Sequence, residues 1–212
     1  MTSTALFLRE STTEAHRHAE TRPLNRALAR GEITLEQWRC SLEQHLLVYR
    51  ALDHRLDLIQ QTHPTWAAAF AEPFRRRTPD FAADLADLNG TLDPRPLPAT
   101  ETAVQAIGHA SPEAIIGMLY VSEGSTNGGR FLVRGAARAF GVDPASRTGV
   151  RHLDPYGNLQ PARWAAFKAG LDAMEFTEAE RDQIRAGADA MFEWVGAIAD
   201  EVWNVTGPKP VG

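Results

Sequence analysis

Cysteine is almost missing from this sequence. The chain has 212 residues and a single cysteine, Cys40. One cysteine cannot form an internal disulfide, and it leaves no pair at the spacing of zinc-finger or iron–sulfur ligands. We therefore expect Cys40 to serve packing rather than chemistry, and we expect the fold to depend on its hydrophobic core.

Long apolar runs and a basic surface are also missing. No run approaches the roughly 20 apolar residues that span a bilayer. The short apolar stretch 5–8 lacks the charged flank and cleavage site of a signal peptide. The formal net charge of -5 argues against nucleic-acid binding. We expect a cytoplasmic protein that binds neither membrane nor nucleic acid, and we interpret the basic run 75–77 as a solvated helix end.

Strand signals are absent, whereas helical patterns are frequent. Thr34 and Gln37 form a predicted capping box at the start of a helix over 34–61. A second helix is predicted from Ser111-Pro112 to about Phe140, and two more open at Pro161 and at the Thr177/Glu180 box. The apolar residues of the first helix recur every three or four positions, as expected of one buried face: Leu35, Trp38, Leu42, Leu46, Tyr49, Leu52, Leu56 and Ile59.

The segments between the predicted helices do not indicate a domain boundary. Two loops are predicted, 89–100 with its three prolines and 141–160 with its glycine, proline and aspartate, and neither has the character of a domain linker. We predict an all-α, single-domain helical bundle over residues 1–212, in which about 204–212 form a frayed tail.

Glycines are concentrated where a helix is predicted. Gly117, Gly124, Gly128, Gly129 and Gly135 all fall in 115–140, and each costs about 1 kcal/mol relative to alanine in a helix interior. Glycine lets the backbone approach a partner closely. Close packing of two helices would explain a single glycine, but the cluster 124–129 favours a flat ligand lying against the main chain. No phosphate-binding or dinucleotide motif accompanies it.

One of the seven histidines has a pattern suited to a metal. Glu20 follows His16 by four residues, so its carboxylate can accept the second ring N–H of a metal-bound imidazole. An exposed pair without a metal is the simpler alternative. Zinc and di-iron sites are disfavoured, since the chain has neither H-E-x-x-H nor Glu-x-x-His. A haem ligand needs only one histidine.

Three segments, in order, resemble the haem oxygenase family. Residues 8–20 read LRESTTEAHRHAE and are similar to the opening helix that carries the family's iron ligand. Residues 119–129 read LYVSEGSTNGG and resemble the distal helix of the bacterial branch often paired with bacteriophytochromes. The third segment runs from Phe167-Lys168 through 174–177 to Phe192.

The resemblance implies that haem b, both substrate and cofactor, lies between a proximal N-terminal helix and the glycine-rich distal helix. His16 would be the iron ligand and Glu20 its hydrogen-bond partner. Arg9 and Lys168 match basic positions near the haem propionates. Tyr120 falls within one residue of a tyrosine that contacts a propionate in the family.

On the distal side, the resemblance assigns Gly124, Gly128 and Gly129 to the backbone that crosses close above the haem. Ser125, with ordered water, would donate protons. The mammalian pattern has an aspartate where Ser125 stands and an asparagine where Val195 stands. These departures bear on proton delivery and leave the haem pocket in place.

The implied reaction opens haem with O2 to biliverdin, CO and Fe2+. Electrons would come from a ferredoxin or a reductase, since the chain has no flavin or nicotinamide motif. A bacteriophytochrome is a candidate recipient of the biliverdin. Two alternatives remain: a haem carrier or sensor of the same fold without turnover, and a bundle similar to the thiamin-salvage relatives in which His16 is incidental.

Overall fold

A computed structural model describes residues 2–207, which form α-helices, short 3-10 turns and connecting loops, without a strand in that range. The all-α prediction is confirmed. No helix in this part of the chain has the length and apolarity needed to cross a membrane. The helices are α1 (Thr4–Ser11), α2 (Thr13–Glu20), α3 (Pro23–Arg30), α4 (Leu35–Thr62), α5 (Pro64–Phe70), α6 (Thr78–Asp87), α7 (Pro98–His109), α8 (Pro112–Phe140), α9 (Gln160–Ala173) and α10 (Glu178–Thr206).

Helix α4 forms as its sequence predicts. The Thr34 hydroxyl accepts a hydrogen bond from the Gln37 N–H at 3.1 Å, and the Gln37 side chain accepts from the Thr34 N–H at 2.9 Å. The predicted apolar face is buried apart from Leu35, which is 43% exposed. Leu35 is the first residue of the helix and therefore lies at its open end. Helix α4 packs against α6, α7 and α10 and carries much of the core.

Helices α8 and α10 pack with their backbones in contact. A Cβ on Gly117 would lie 1.8 Å from the Ile184 carbonyl oxygen, and one on Gly187 would lie 2.1 Å from that of Ala114. Any larger residue would push the two helices apart. Part of the predicted glycine pattern in α8 is therefore explained by helix packing.

The loops differ from prediction mainly at their ends. Helix α7 begins at Pro98, so the first loop ends before Thr100. Three short 3-10 turns lie within the second loop, 141–160. The buried Asp84 carboxylate anchors this loop by accepting the backbone N–H groups of Arg151 at 2.7 Å and His152 at 3.0 Å.

The tail predicted for about 204–212 starts too early, because α10 continues to Thr206. Residues 208–212 lie outside the described part of the chain.

The basic run 75–77 was predicted to be solvated, and this prediction is wrong for two of its three residues. Arg75 is 1% exposed and Arg77 is 3% exposed. Only Arg76 lies near the surface, where it forms an ion pair with Asp57 at 2.6 Å. The two buried guanidinium groups have acidic and carbonyl partners that the local sequence does not reveal.

Candidate functional site

A cleft opens between α1 and α2 on one side and the middle of α8 on the other. It encloses about 260 Å³, slightly less than the roughly 300–1,000 Å³ of typical small-molecule pockets. Five predicted site residues that are far apart in sequence meet here: Arg9, His16, Tyr120, Gly124 and Ser125. The full lining is Arg9, Thr12, Thr13, His16, Tyr120, Val121, Gly124, Ser125, Asn127, Trp164 and Phe192.

The segment that presents His16 is two short helices rather than one. Helix α1 ends at Ser11 and α2 begins at Thr13. Thr12, between them, has φ -100° and ψ 3°. Its hydroxyl is buried and donates to the Leu8 carbonyl at 2.8 Å. This bond holds the break in place, so that Thr12, Thr13 and His16 all border the cleft.

His16 is accessible and held by two neighbours. Its Nε2 lies 3.3 Å from the Glu20 carboxylate, and 53% of its side chain is exposed. The Phe192 ring meets the imidazole edge-on, with 5.3 Å between ring centroids. In this rotamer Nδ1 is the ring nitrogen not directed at Glu20. The predicted pairing of His16 with Glu20 is present, and a free ring nitrogen remains for a ligand.

Helix α8 forms the opposite wall with little side-chain bulk. A Cβ on Gly124 would lie 3.6 Å from the Trp164 ring, and one on Gly128 would meet nothing within 4 Å. Gly128 is exposed and outside the lining itself. Both glycines therefore leave open space over this part of the helix, as a flat ligand would require.

Gly129, unlike Gly124 and Gly128, does not face open space. A Cβ there would lie 2.1 Å from the Leu153 carbonyl oxygen. Gly129 is not among the residues that line the cleft, and its backbone packs against the 141–160 loop. Gly135 is similar, since its Cβ would lie 2.2 Å from the Leu28 carbonyl oxygen. The glycine pattern of α8 thus combines two functions, an open cleft wall and close packing with neighbours.

Gly128 and Gly129 offer a matched test of this division. We expect Gly129→Ala to lower the free energy of unfolding by about 1–3 kcal/mol, because a backbone oxygen cannot move aside cheaply. Gly128→Ala should raise it by up to about 1 kcal/mol, since alanine favours the helix and the space is free. Urea denaturation of both variants measures the difference. Equal destabilisation would show that both glycines serve packing.

Three consecutive polar side chains of α8 bond back to the helix. Ser125 donates to the Ser122 carbonyl at 2.7 Å, Thr126 to the Glu123 carbonyl at 2.7 Å, and Asn127 to the Gly124 carbonyl at 2.9 Å. Such bonds compete with the regular helical ladder and favour bending. The Ser125 hydroxyl can therefore accept a hydrogen bond from the cleft, but its own proton is already used.

The sides of the cleft are apolar and its margin carries positive charge. Tyr120 and Trp164 pack with ring centroids 5.4 Å apart. Burial raises the pKa of the Tyr120 hydroxyl, and the nearby Arg9 charge opposes that rise. Lys168 lies outside the lining, with its amine 5.5 Å from the centre of the Trp164 ring. Of the two basic residues predicted for the site, Arg9 thus lines the cleft and Lys168 lies next to it.

Beneath α8, a buried ionic network holds the segment that precedes Gly124. The Arg75 guanidinium lies 2.5 Å from the Glu123 carboxylate, and each side chain is 1% exposed. Tyr156 donates to the other Glu123 oxygen at 2.7 Å, and Glu72 lies 2.8 Å from Arg75. Burial raises the pKa of Glu123, and the Arg75 charge opposes this. The network fixes α8 to the chain around 72–75 and to the 141–160 loop.

Sequence reasoning missed several cleft residues. Asn127 lies inside the 119–129 motif, but the motif gives it no function. Trp164 has no local signal, because α9 brings it to the cleft from a distant part of the chain. Val195, by contrast, packs against the core and is not among the lining residues.

The residues that the structure describes support neither a bare-metal site nor a reactive cysteine. Within residues 2–207, no cluster of three or more histidine, cysteine, aspartate or glutamate side chains is placed to hold a bare metal ion. Burial raises the pKa of the Cys40 thiol to about 11, with further contributions from Glu43 and Glu36. A thiol with so high a pKa is a poor nucleophile near neutral pH.

The fold and the cleft agree with a known family. A family model described as "Heme oxygenase" matches residues 2–201. The chain belongs to the haem oxygenase family.

Two bacterial relatives are similar in sequence. The haem oxygenase PigA of Pseudomonas aeruginosa is 35% identical over 130 residues, which are 61% of this chain and 61% of that protein. The chain thus matches about three fifths of the length of that relative. A haem oxygenase of Xanthomonas campestris is 30% identical over 172 residues, 78% of this chain and 90% of that protein.

Solved structures support the same fold. The haem oxygenase of Leptospira interrogans superposes with a TM-score of 0.85 at 25% identity, covering 94% of this chain and 99% of that one. Haem oxygenase-1 of Synechocystis, solved in complex with haem, has a TM-score of 0.85 at 18% identity, covering 96% and 93%. The second likeness concerns the fold alone.

Proposed function

We propose that this protein is a haem oxygenase that converts haem b, O2 and external electrons to biliverdin, CO and Fe2+. The observation that carries the proposal is the cleft itself. One accessible imidazole, that of His16, and the α8 backbone at Gly124 both border this cleft. In this arrangement His16 could bind the iron of a flat ring from one face, and the α8 backbone could lie close to the other face.

The residues present fit a haem. His16 supplies a single nitrogen ligand, the Val121, Trp164 and Phe192 side chains supply apolar walls, and Arg9 supplies a cation for a propionate. Because the cleft encloses only about 260 Å³, a bound macrocycle would extend to its margin, where Lys168 and Gly128 lie. When bound, haem would supply the iron that activates O2 and the ring carbon that is oxidised.

The chain's own residues would then orient the bound haem and shield its faces. The Glu20 carboxylate lies 3.3 Å from the His16 Nε2, where it could accept a hydrogen bond and limit the rotation of the ring. Gly124 and Gly128 would leave space for a bound haem, so that the position of the α8 backbone would govern how closely this helix approaches it. The buried network at Glu123 holds that backbone in place. Ser125 can hold a water molecule by accepting its hydrogen bond.

The partners included in this proposal are an electron donor, either ferredoxin or a reductase, and a bacteriophytochrome that receives the biliverdin. The sequence motif at 119–129 motivates the second partner. A cytoplasmic location would bring the enzyme together with both.

A haem carrier or sensor without turnover is the second candidate. One observation favours it: the Ser125 proton is engaged by the Ser122 carbonyl at 2.7 Å, so the predicted proton donor is occupied. Adding haem to the purified protein in air, with ascorbate or reduced ferredoxin, distinguishes the two. An oxygenase loses its Soret band as a biliverdin band rises, whereas a carrier keeps the Soret band. A protein that forms no haem complex would contradict both.

Arg9 and Lys168 are expected to set the rotation of haem in its plane by pairing with the propionates. A charge-assisted hydrogen bond contributes about 1.5–3 kcal/mol, which favours one orientation by roughly ten- to a hundred-fold. The Arg9→Ala and Lys168→Ala double variant should therefore yield mixed biliverdin isomers, measured by chromatography. Arg30→Ala, an exposed arginine on α3, is the matched control. One unchanged isomer and unchanged haem affinity would show that the two cations are only surface charge.

A further inference from the structure

Asn127 presents a side-chain amide of fixed orientation to the cleft. Its Nδ2 lies 2.9 Å from the Gly124 carbonyl oxygen. A carbonyl can only accept, so the atom facing it must be the amide nitrogen. The Asn127 side-chain oxygen therefore faces the other way, towards α9.

Gln160, the first residue of α9, completes the arrangement. Its side chain is only 3% exposed. Its amide nitrogen lies 2.6 Å from the Asn127 side-chain oxygen and 3.3 Å from the Thr126 hydroxyl. A buried amide with two partners on adjacent residues of α8 leaves Asn127 little freedom to rotate. The orientation of Asn127 is thus set by a different helix.

The consequence is an available donor next to Gly124. An amide nitrogen carries two N–H groups, and among residues 2–207 only the Gly124 carbonyl accepts from that of Asn127. Three hydroxyls of the same cleft donate to carbonyls of their own helical segments: Thr12 to Leu8, Thr13 to Arg9 and Ser125 to Ser122. Beside Gly124, Asn127 can donate to a ligand without giving up a bond, and Ser125 cannot.

We propose that Asn127, positioned by Gln160, is the hydrogen-bond donor of α8 to a small anionic or polarised ligand on the haem face opposite His16. This inference rests on the proposed haem-binding function. This hydrogen bond is distinct from the proton donation that the family resemblance implies for Ser125. Gln160 is a positioning residue, because it acts through Asn127.

Fluoride binding to the ferric haem complex tests the proposal without turnover. Fluoride is a small anion whose affinity depends on nearby donors, and a hydrogen bond to a charged group corresponds to about a ten- to hundred-fold change in affinity. We expect Asn127→Leu to weaken fluoride binding by that factor while haem affinity stays at the wild-type value. Gln160→Leu should weaken it less, because the amide remains but is free to turn.

Asn127→Asp keeps the shape and loses both N–H groups, so it provides a second variant should the leucine variant fold poorly. It should weaken fluoride binding at least as much. Asn204→Leu, at an exposed asparagine on α10, should leave fluoride affinity unchanged. Wild-type fluoride affinity in folded Asn127→Leu or Asn127→Asp would overturn the proposal. A wild-type protein that forms no haem complex would instead overturn the proposed function on which it rests.

Discussion

His16→Ala is expected to abolish the six-coordinate spectrum of the ferric haem complex. Added imidazole is expected to restore that spectrum in the variant. Among the seven histidines, all of which lie within residues 2–207, His16 alone combines a position in the cleft with a carboxylate partner at 3.3 Å. Its removal leaves space that exogenous imidazole can fill, whereas the apolar walls that we propose to hold the macrocycle remain. Visible spectroscopy of the variant, with and without imidazole, gives the result directly.

His18→Ala is the matched control for this experiment. His18 lies on the same short helix but borders a different surface depression, together with Arg22 and Asp189. We expect its haem spectrum to equal that of the wild type. If His16→Ala kept the wild-type spectrum and His18→Ala lost it, the iron ligand would be His18 and the cleft between α2 and α8 would not be the haem site.

Glu123→Ala is expected to lower the free energy of unfolding by about 3–5 kcal/mol. Arg75 is 1% exposed, and removing its partner leaves a buried charge without its principal counter-ion. The loss should exceed that of Tyr156→Phe, which removes one hydrogen bond to Glu123 and is expected to cost about 1–2 kcal/mol. Urea denaturation of each variant measures the difference.

The double variant Arg75→Met with Glu123→Leu is the control for the ionic explanation. Replacing both members of a buried pair by apolar residues of similar size is often neutral or stabilising. We therefore expect the double variant to be more stable than Glu123→Ala. If the double variant lost as much stability as Glu123→Ala, the ionic explanation would be wrong and packing alone would explain the loss.

Much of the fold could be predicted, because its signals are local. In the Thr34/Gln37 box and in the Thr177/Glu180 box the two residues are only three positions apart, so each box marks the start of its own helix, and both form as predicted. The i, i+4 spacing of His16 and Glu20 fixes their proximity on any helix. The family match also depends on contiguous motifs, so the sequence itself was sufficient to indicate it.

The errors concern contacts between distant segments. Arg75 resembles a surface residue in its sequence context, yet its partner Glu123 lies 48 positions away. Gly129 and Gly128 are adjacent and look equivalent, but the 141–160 loop approaches only Gly129. Asn127 depends on Gln160, 33 positions further on. None of these pairings follows from periodicity or capping, because each is set by how the helices pack.

The central claim is that His16 and α8 face each other across a bound haem. A crystal structure of the ferric haem complex tests it most directly. The predicted result is iron bonded to a ring nitrogen of His16, with Gly124 and Gly128 over the opposite face and Asn127 directed towards the iron's open position. Iron bonded to another residue, or haem bound outside the cleft between α2 and α8, would contradict the account.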